Sequence, residues 1–506
     1  MKHISIFLFV ILIAFSCSVE QLSSDRTVIY QAPSEEILYE GYTVRINGQE
    51  APVYNARVSA YPLNQRWPGY QRPQYQTEFA GFCSWDMNGP VTIEVIPHHA
   101  ETIEQVVVRP QSKGIVPKIE NGTIIFSMKE PLQITVEVNG MNHALHLFGN
   151  PMEESIPDPD DPNVLYFAPG VYDIGKVDLK ANQTVYIAGG AVVYGAFEAR
   201  DAPNLTIRGR GILDGSRIIR PDKILADAPD VPFGIMALYG CHNARIEGIT
   251  FRDANVYVLM PVACNNMSIT NIKEIGMWRY NTDGIHLKNC QNMIIDKCFL
   301  RNFDDGLVVN AYPNHRGYDC EDTPTRNIKA TRCVIWNDWN TAMRVGVVCY
   351  APVIEDIVFQ DCDIIHASRI ALNIENHGHA IIRNILFEDI RIEMDDGSSE
   401  NQYQMRKNQV YSYSNKKHVP QLCFIDIKKS MYTLTKDYGQ VKDVVFKDIS
   451  VIGDRAPKSI FKGFDSVHNV ENVSFENLRF GDKVITDLES GRIEIGEFVK
   501  NVRIEP

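Results

Sequence analysis

The feature that most constrains this chain of 506 residues is a short motif that recurs from about residue 200 to the carboxyl terminus. Each copy has an apolar residue, any residue, an Asn or Asp, and then alternating apolar residues. The Asn or Asp positions are Asn243, Asn266, Asn292, Asn327, Asp356, Asn384, Asp443, Asn472 and Asn501. Successive gaps are 23, 26, 35, 29, 28, 59, 29 and 29 residues, and the gap of 59 predicts one unrecognised or decorated turn inside it. A period in the twenties, with alternation inside each unit, predicts stacked coils of short strands.

Two columns of mostly small or branched apolar residues accompany the motif. Two positions before the Asn or Asp stand Cys241, Cys264, Cys290, Thr325, Ile354, Ile382, Val441, Val470 and Val499. Six positions after it stand Ile249, Ile272, Cys298, Cys333, Cys362, Ile390, Ile449 and Leu478. One coil cannot bury its inner face alone, so neighbouring coils supply the core and the stacked Cys are predicted to be inward-facing thiols. The sequence therefore predicts a right-handed parallel β-helix over residues 164–506, with the Asn/Asp column in turns that tolerate left-handed backbone.

The chain before the repeats has a different pattern. Val44 to Val138 alternates apolar and polar residues. Turn signals stand at Asn47-Gly48, Asn88-Gly89, Asn121-Gly122 and Asn139-Gly140. This pattern predicts a small antiparallel β-sandwich within a domain of residues 17–150, so the whole chain is expected to be all-β. Residues 151–163 are rich in Pro and Asp and are predicted to form a stiff linker.

The amino terminus predicts export. A mostly apolar run from Ile4 to Phe15 is too short to span a bilayer but suits a signal peptide of residues 1–16. Cys17 follows in a context that resembles a bacterial lipoprotein cleavage box, so its lipidation is predicted, with an ordinary signal peptide as the alternative. The chain is then expected to be periplasmic or attached to the outer membrane, touching a membrane only through Cys17. A formal charge of −13 argues against nucleic acid as a partner.

Two neighbouring coils carry carboxylates at matched positions. One contains Asn281-Thr282-Asp283-Gly284 and the next contains Asp304-Asp305-Gly306. Aligning the glycines stacks Asp283 on Asp305, 22 residues later, so three carboxylates are expected within about one coil spacing, roughly 5 Å. Like charges this close raise one another's pKa values, so at least one carboxyl group is expected to keep its proton near neutral pH. A protonated acid beside ionised carboxylates is what glycoside hydrolysis needs.

The Asn-Thr-Asp-Gly and Asp-Asp motifs, at this spacing, resemble those of glycoside hydrolase family 28, the polygalacturonase family. The resemblance implies that Asp304 is the general acid, that Asp283 and Asp305 hold the attacking water, and that the reaction inverts the anomeric centre. It also implies that Asn281 positions the substrate or one of the aspartates. The substrate so implied is a polysaccharide or oligosaccharide.

Two positions depart from the family pattern and bear on the substrate. Thr341 stands where the family has the His of Gly-His-Gly, and Arg369-Ile370-Ala371 stands where the family has Arg-Ile-Lys. In the family, this Arg and Lys bind a galacturonate carboxylate. Arg369 keeps half of that pair, and Arg344 is a candidate to replace the missing charge. Thr341, Arg344 and Arg369 are therefore candidate substrate-binding residues.

The order of the two folds resembles a second family, glycoside hydrolase family 49, the dextranase and isopullulanase group. The segments 166–172 and 183–191 are similar to the entry into the β-helix of such enzymes. This resemblance implies a neutral α-linked glycan as the other possible substrate. Trp339, close to the aspartate motifs, is a candidate for stacking against a sugar ring. A polar insertion at 312–324 is expected to wall the cleft.

These observations predict an exported inverting hydrolase that acts on a polysaccharide. No CxxC pair and no close-spaced set of His and Cys occurs, so no metal or other cofactor is expected. Two alternatives stay open. One is a polysaccharide lyase, although no Lys or Arg base stands out in register with the aspartates. The other is a non-catalytic glycan-binding lipoprotein, which the missing family His and Lys would fit.

Overall fold

The computed structural model describes residues 26–60, 74–220, 231–394, 402–403, 412–413, 419–453 and 455–506. This part of the chain is all-β, with short 3₁₀ helices at Gln74–Gln76 and Gln111–Lys113. Within it, no helix is long and apolar enough to cross a bilayer. The predicted signal peptide and Cys17 lie outside the described residues.

Strands β1 to β11 form two sheets that enclose an apolar core. They are Thr27–Ile29, Tyr42–Ile46, Gln49–Ala51, Tyr54–Ser59, Thr77–Met87, Val91–Pro97, Val106–Arg109, Lys118–Glu120, Thr123–Met128, Gln133–Val138 and Leu145–Asn150. One sheet has the order β1-β5-β11-β10-β7, with β4 beside β5, and the other has the order β3-β2-β6-β9-β8. The predicted antiparallel sandwich is confirmed, with one parallel pair between β5 and β11. Three of the four predicted Asn-Gly turns have positive φ at both residues, at Asn47, Asn121 and Asn139.

The remaining strands, β12 to β45, form the β-helix and two small hairpins. They are Val164–Phe167, Gly170–Leu179, Thr184–Ile187, Ala191–Arg200, Thr206–Gly209, Ile212–Asp214, Gly234–Tyr239, Arg245–Glu247, Thr250–Arg252, Tyr257–Val262, Asn265–Thr270, Lys273–Ile275, Ile285–Lys288, Gln291–Asp296, Phe299–Asn302, Leu307–Ala311, Asn314–His315, Tyr318–Asp319, Thr325–Thr331, Val334–Asn337, Thr341–Cys349, Val353–His366, Ile370–Asn376, Ile381–Glu393, Gln402–Tyr403, Ser412–Tyr413, Gln421–Ile427, Gln440–Ile452, Ser459–Lys462, Val470–Glu476, Arg479–Phe480, Lys483–Val484, Ile493–Ile495 and Val499–Glu505. The hairpins are β28-β29 and β36-β37.

The coils of the β-helix stack parallel strands on three faces, named A, B and C in chain order. Face A contains β12, β14, β16, β19, β22, β25, β30, β33, β35, β39, β41 and β45. Face B contains β17, β20, β23, β26 and β31, and continues into the second half of β33. Face C contains β13, β15, β18, β21, β24, β27, β32, β34, β38, β40 and β44. The predicted parallel β-helix is thereby confirmed.

The repeated Asn or Asp lies at the start of face A, just before its strand at Asn243 and among the first residues of the strand in the other coils. All nine of these residues have a left-handed backbone, with φ between 53° and 58°. Their side chains hydrogen-bond from coil to coil: the Asn266 Nδ2 amide donates to Asn243 Oδ1 at 2.6 Å, and the Asn327 Nδ2 amide donates to Asn292 Oδ1 at 2.5 Å. This exposed ladder satisfies polar side chains of successive coils and links each coil to the next in register.

Two further features of the repeat concern its cysteines and its 59-residue gap. The ten described cysteines are all buried and free, which confirms the predicted core thiols. The 59-residue gap holds no additional stacked coil, because Ile382 pairs directly with Val441. The extra length instead lies between β35 and β38. The gap is therefore one coil with a long insertion.

The sandwich packs against face B of the β-helix. Phe82 and Phe148 from the sandwich share a buried cluster with Phe299 and Trp336 from face B. The Phe148 and Phe299 rings lie 5.0 Å apart between centroids. Because the sandwich covers face B, the neighbouring face C is free to carry a binding site.

Candidate active site

A cavity of about 790 Å³ opens on the outer side of face C, at the coils that carry the two aspartate motifs. Side chains from the turns before β24, β27, β32 and β34 line it, together with the loop after β38. Seven of the eight residues predicted for the site line this cavity, namely Asn281, Asp283, Asp304, Asp305, Trp339, Arg344 and Arg369.

Backbone pairing brings the aspartate motifs into the predicted register. β24 pairs in parallel with β27, and the Gly284 amide donates to the Asp305 carbonyl at 2.9 Å. Asp283 and Asp305 therefore occupy equivalent positions on successive coils. A Cβ at Gly306 would lie 2.7 Å from the Ala342 carbonyl oxygen, so only glycine fits this turn.

The Asp304 carboxylate is held by uncharged donors. Its Oδ2 accepts from the Asn281 backbone amide at 3.0 Å. Its Oδ1 accepts from the Asp305 amide at 3.0 Å and from Asn340 Nδ2 at 3.1 Å. The Asn337 side chain also donates to the Asp304 carbonyl, at 2.5 Å. Because Oδ2 accepts a single bond from the described residues, it keeps a lone pair for a proton.

The Asp305 carboxylate, in contrast, faces a cation. Its Oδ1 accepts from the Thr341 amide at 3.1 Å, and its Oδ2 accepts from Arg344 Nη1 at 2.5 Å. Arg344 also donates to Asn373 Oδ1 at 2.7 Å, to Thr341 Oγ1 at 2.8 Å and to Glu375 Oε2 at 3.3 Å. The guanidinium is thus occupied by acceptors of the protein itself.

The third carboxylate, Asp283, is bonded to a histidine. The His286 Nδ1 atom lies 2.9 Å from Asp283 Oδ2, and His286 Nε2 lies 2.7 Å from Asn310 Nδ2. The Asn310 Nδ2 group can only donate, so His286 Nε2 accepts from it and His286 Nδ1–H donates to Asp283. Burial, and then the charge of Lys288, hold the pKa of His286 well below its usual range, so the ring is neutral.

All three carboxyl groups are 5% exposed, and burial is the main reason why their pKa values are raised. Asp304 and Asp305 add repulsion that raises the pKa of Asp283 well above its usual range. Burial raises the pKa of Asp305 to about 7, against the attraction of Arg344. Burial also raises the pKa of Asp304, against the hydrogen bond from Asn340. The cluster therefore keeps protons near neutral pH and titrates as one unit.

Residues 176–465, more than half of the chain, match the sequence profile of glycosyl hydrolases family 28. The chain belongs to glycosyl hydrolases family 28. The matched region includes the eight residues predicted for the site. It ends before the last coils of the β-helix.

Relatives with known names match parts of this family 28 chain. A dextranase of Arthrobacter globiformis is 29% identical over 171 residues, which cover 29% of this chain and 26% of that protein. Polygalacturonase QRT2 of Arabidopsis thaliana is 24% identical over 194 residues, which cover 37% of this chain and 42% of that protein. The chain thus spans less than half of the length of these relatives.

One solved structure is similar over almost the whole length. Dex49A from Penicillium minioluteum superposes with a TM-score of 0.69 and 14% identity, covering 94% of this chain and 96% of its own. At that identity, the similarity concerns the fold, in which this family 28 chain shares both the sandwich and the β-helix.

Thr341 and Trp339 were predicted to contact the substrate, and the structure places both differently. The Thr341 side chain is fully buried and accepts from Arg344, so Thr341 contacts the aspartate cluster from behind and does not line the cavity. Trp339 lines the cavity but is 5% exposed and stacks on Phe303, with centroids 5.7 Å apart. Arg369 is exposed and donates to Asn340 Oδ1 at 3.1 Å.

The structure adds side chains that sequence reasoning left without a role. Glu375 contacts Arg344, and its Oε1 accepts from Lys428 at 2.7 Å. Although burial opposes it, contacts with His377, Arg344 and Lys428 hold the pKa of Glu375 well below its usual range. Alternation along β34 places Asn373 and Glu375 on the side of Arg344, a signal visible in the sequence.

In the part of the chain that is described, no group of three or more His, Cys, Asp or Glu is arranged to hold a metal ion.

Proposed function

We propose that this family 28 chain hydrolyses glycosidic bonds of a polysaccharide with inversion, with Asp304 as the general acid and Asp283 and Asp305 as the base. The observation that carries the proposal is the presence of three carboxyl groups in one cavity, with Arg344 as the one cation hydrogen-bonded to them among the described residues. An excess of buried carboxyl groups keeps a proton available near neutral pH.

Asp304 suits the acid role because its donors are a side-chain amide and two backbone amides. Among the described residues, no charged group donates a hydrogen bond to the Asp304 carboxyl group, whereas the Asp305 carboxylate accepts one from Arg344. In the reaction, the Asp304 proton passes to the glycosidic oxygen as the bond from that oxygen to the anomeric carbon breaks.

Asp283 and Asp305 suit the base role because they occupy equivalent positions on successive coils. A water bound between them would attack the anomeric carbon from the face opposite the leaving group and give up a proton to the pair. The product then carries the inverted configuration at that carbon. Arg344 and His286 hold the two carboxylates in place.

The substrate class is proposed from the cations around the cavity. Lys428 pairs with Glu375 and, at 2.9 Å, with Asp426, so its charge is balanced. Arg369 and Lys429 line the cavity, and neither forms an ion pair with a described carboxylate. These two cations would receive an acidic pectic chain, whereas the names of the relatives also include dextranases, which suggests an α-glucan. Pectic chains and α-glucans are therefore the two candidate classes.

For location, we propose export and a lipid anchor on Cys17. The proposal rests on the sequence of the amino terminus, where an apolar run precedes this cysteine. Metabolic labelling with a radioactive fatty acid in a bacterial host tests it. Label in the wild-type chain and none in Cys17→Ser would support it, and an unlabelled wild-type chain would refute it.

The function is tested on a panel of homogalacturonan, rhamnogalacturonan, dextran and pullulan, with released reducing ends as the readout. We expect hydrolysis of one member and a loss of about 10²–10⁴-fold in kcat for Asp304→Asn. Arg326→Gln, at an exposed residue of β30 on face A, is the matched control and should keep wild-type activity.

The configuration of the first product, followed by proton NMR, tests inversion. Retention would refute the proposed roles of Asp283 and Asp305. Products that absorb in the ultraviolet would identify a lyase instead. Binding without new reducing ends on any member of the panel would identify a glycan-binding protein.

A further inference from the structure

Behind the cavity lies a lysine whose charge the proposed reaction has not yet used. Lys288, at the end of β24, is fully buried and does not line the cavity. Its Nζ atom lies 4.4 Å from the centroid of the Tyr257 ring and 4.6 Å from that of the Tyr312 ring. Both tyrosines line the cavity, so the ammonium group lies directly behind an aromatic part of its wall.

Buried cations are normally paired with carboxylates, and Lys288 is an exception. It forms no salt bridge with any carboxylate of the described residues. The polar atoms near its Nζ belong to His315, whose Nδ1 lies at 3.4 Å. Burial lowers the pKa of Lys288 to about 7. An unpaired, buried ammonium group lowers the stability of the fold. Lys288 is therefore a candidate for a functional role.

The groups that face Lys288 are, apart from one, uncharged near neutral pH. Burial raises the pKa values of Tyr257 and Tyr312 and raises that of Cys320 to about 11. Burial, followed by the charge of Lys288, lowers the pKa of His315 well below its usual range. The charges of Arg316 and Arg200 also lower the pKa of His315.

The remaining group is Asp283. The Tyr257 ring that covers Lys288 also contacts the His286 ring, with centroids 4.7 Å apart, and His286 donates to Asp283. Among the groups facing Lys288, Asp283 is the one whose ionised form its charge can stabilise, and the same charge adds to burial in disfavouring a second proton on His286.

We propose that Lys288 is a positioning residue of the acid–base site: its buried ammonium, which lies behind the Tyr257 ring that contacts His286, favours the neutral form of His286 and helps Asp283 to ionise. The inference rests on the proposed function, in which Asp283 belongs to the base. Arg344 then supports Asp305 by direct contact, and Lys288 supports Asp283 from behind the Tyr257 ring.

The first test is the pH dependence of kcat/KM for Lys288→Met, which keeps the length of the side chain and removes the charge. Without the ammonium, Asp283 holds its proton to higher pH, so the acidic limb of the profile should move upward by about one pH unit. The matched control is Lys273→Met, because Lys273 is also fully buried but hydrogen-bonds to Asn150 in the sandwich. The control should keep the wild-type profile. An unmoved limb in Lys288→Met, or an equal shift in the control, would overturn the proposal.

The second test needs no substrate, so it separates this inference from the proposed function. The unfolding free energies of Lys288→Met, Asp283→Asn and the double variant form a cycle. We expect the two substitutions to be non-additive, with a coupling energy that favours the Lys288–Asp283 pair, since each substitution removes the partner of the other. Additive changes in unfolding free energy would contradict the proposal. Lys288→Gln replaces Lys288→Met if the latter does not fold. Failure of both to fold also counts against the proposal, since it would make Lys288 a structural residue.

Discussion

Two regions of this protein bury clusters of charge, and they balance that charge differently. Where the sandwich meets the β-helix, Arg109 lies between Glu137 and Glu393, and His366 makes a further contact with Glu137. In the cavity, three aspartates share a single bonded guanidinium, that of Arg344. The first cluster matches its anions with cations, and the second has carboxyl groups in excess.

The pKa values of Glu137 and Asp305 differ in the same sense. Burial acts to raise the pKa of Glu137, but His366 and Arg109 outweigh it and lower that pKa to about 2. Burial raises the pKa of Asp305 to about 7 although Arg344 is in contact. Burial of charge alone therefore does not identify a reactive site. An uncompensated excess of one sign of charge does, because it disfavours ionisation and destabilises the fold.

The largest expected effect concerns the balanced cluster. Glu137→Gln leaves Arg109 and His366 without their shared carboxylate, and breaking a buried pair in this way costs about 3–5 kcal/mol of unfolding free energy. Urea denaturation measures the loss. The kcat of the folded variant should stay at the wild-type value, because Glu137 is outside the cavity. A kcat that falls as well would mean that the two clusters are coupled.

A smaller effect, opposite in sign for the two regions, should appear in the dependence of stability on pH. Asp305 has a pKa of about 7 in the fold against 3.8 ordinarily, so its contribution is lost as the pH rises from about 4 to about 7. Glu137 has a pKa of about 2 against 4.5, so its contribution is lost as the pH falls from about 4.5 to about 2.

Denaturation between pH 2 and pH 8 measures both slopes. Asp305→Asn should flatten the upper slope and leave the lower one unchanged, and Glu137→Gln should do the reverse. If both variants flatten the same slope, the proposed contrast between the two regions is incorrect.

The smallest effect concerns the unpaired cation at the edge of the cavity. Arg369→Gln should raise KM for a galacturonate-containing chain by about tenfold, the effect of losing about 1.4 kcal/mol of binding. For a neutral glucan, KM should change by less than about twofold. Initial rates on both substrates measure the difference. An equal change for both would show that Arg369 does not discriminate by charge.

The sequence predicted the fold because an Asn or Asp recurs at the same place in successive coils. The Asn or Asp at Asn243 and its equivalents needs a left-handed turn in every coil, so its spacing marks the coils directly. The aspartates were aligned correctly because Gly284 and Gly306 fix the two turns against neighbouring backbone and side chains. The 59-residue gap was misleading, since an insertion of nearly one coil length has the same spacing as a hidden coil.

Contacts between distant coils were harder to predict. The sequence shows which coil holds Thr341. It does not show that the Thr341 hydroxyl lies behind Arg344 and outside the cavity. The contact between Glu375 and Lys428 joins residues 53 positions apart, across the long insertion. The buried environment of Lys288 depends on the inserted segment that carries His315, and no local pattern indicates that packing.

The stacked thiols in the β-helix have a practical consequence. Ten described cysteines are buried and free, and burial raises the pKa values of thiols such as Cys349 and Cys423, so they are protonated and poorly reactive in the folded state. An alkylating reagent would reach them only when coils separate. Mass spectrometry of peptides labelled at increasing urea would therefore show which rungs open first.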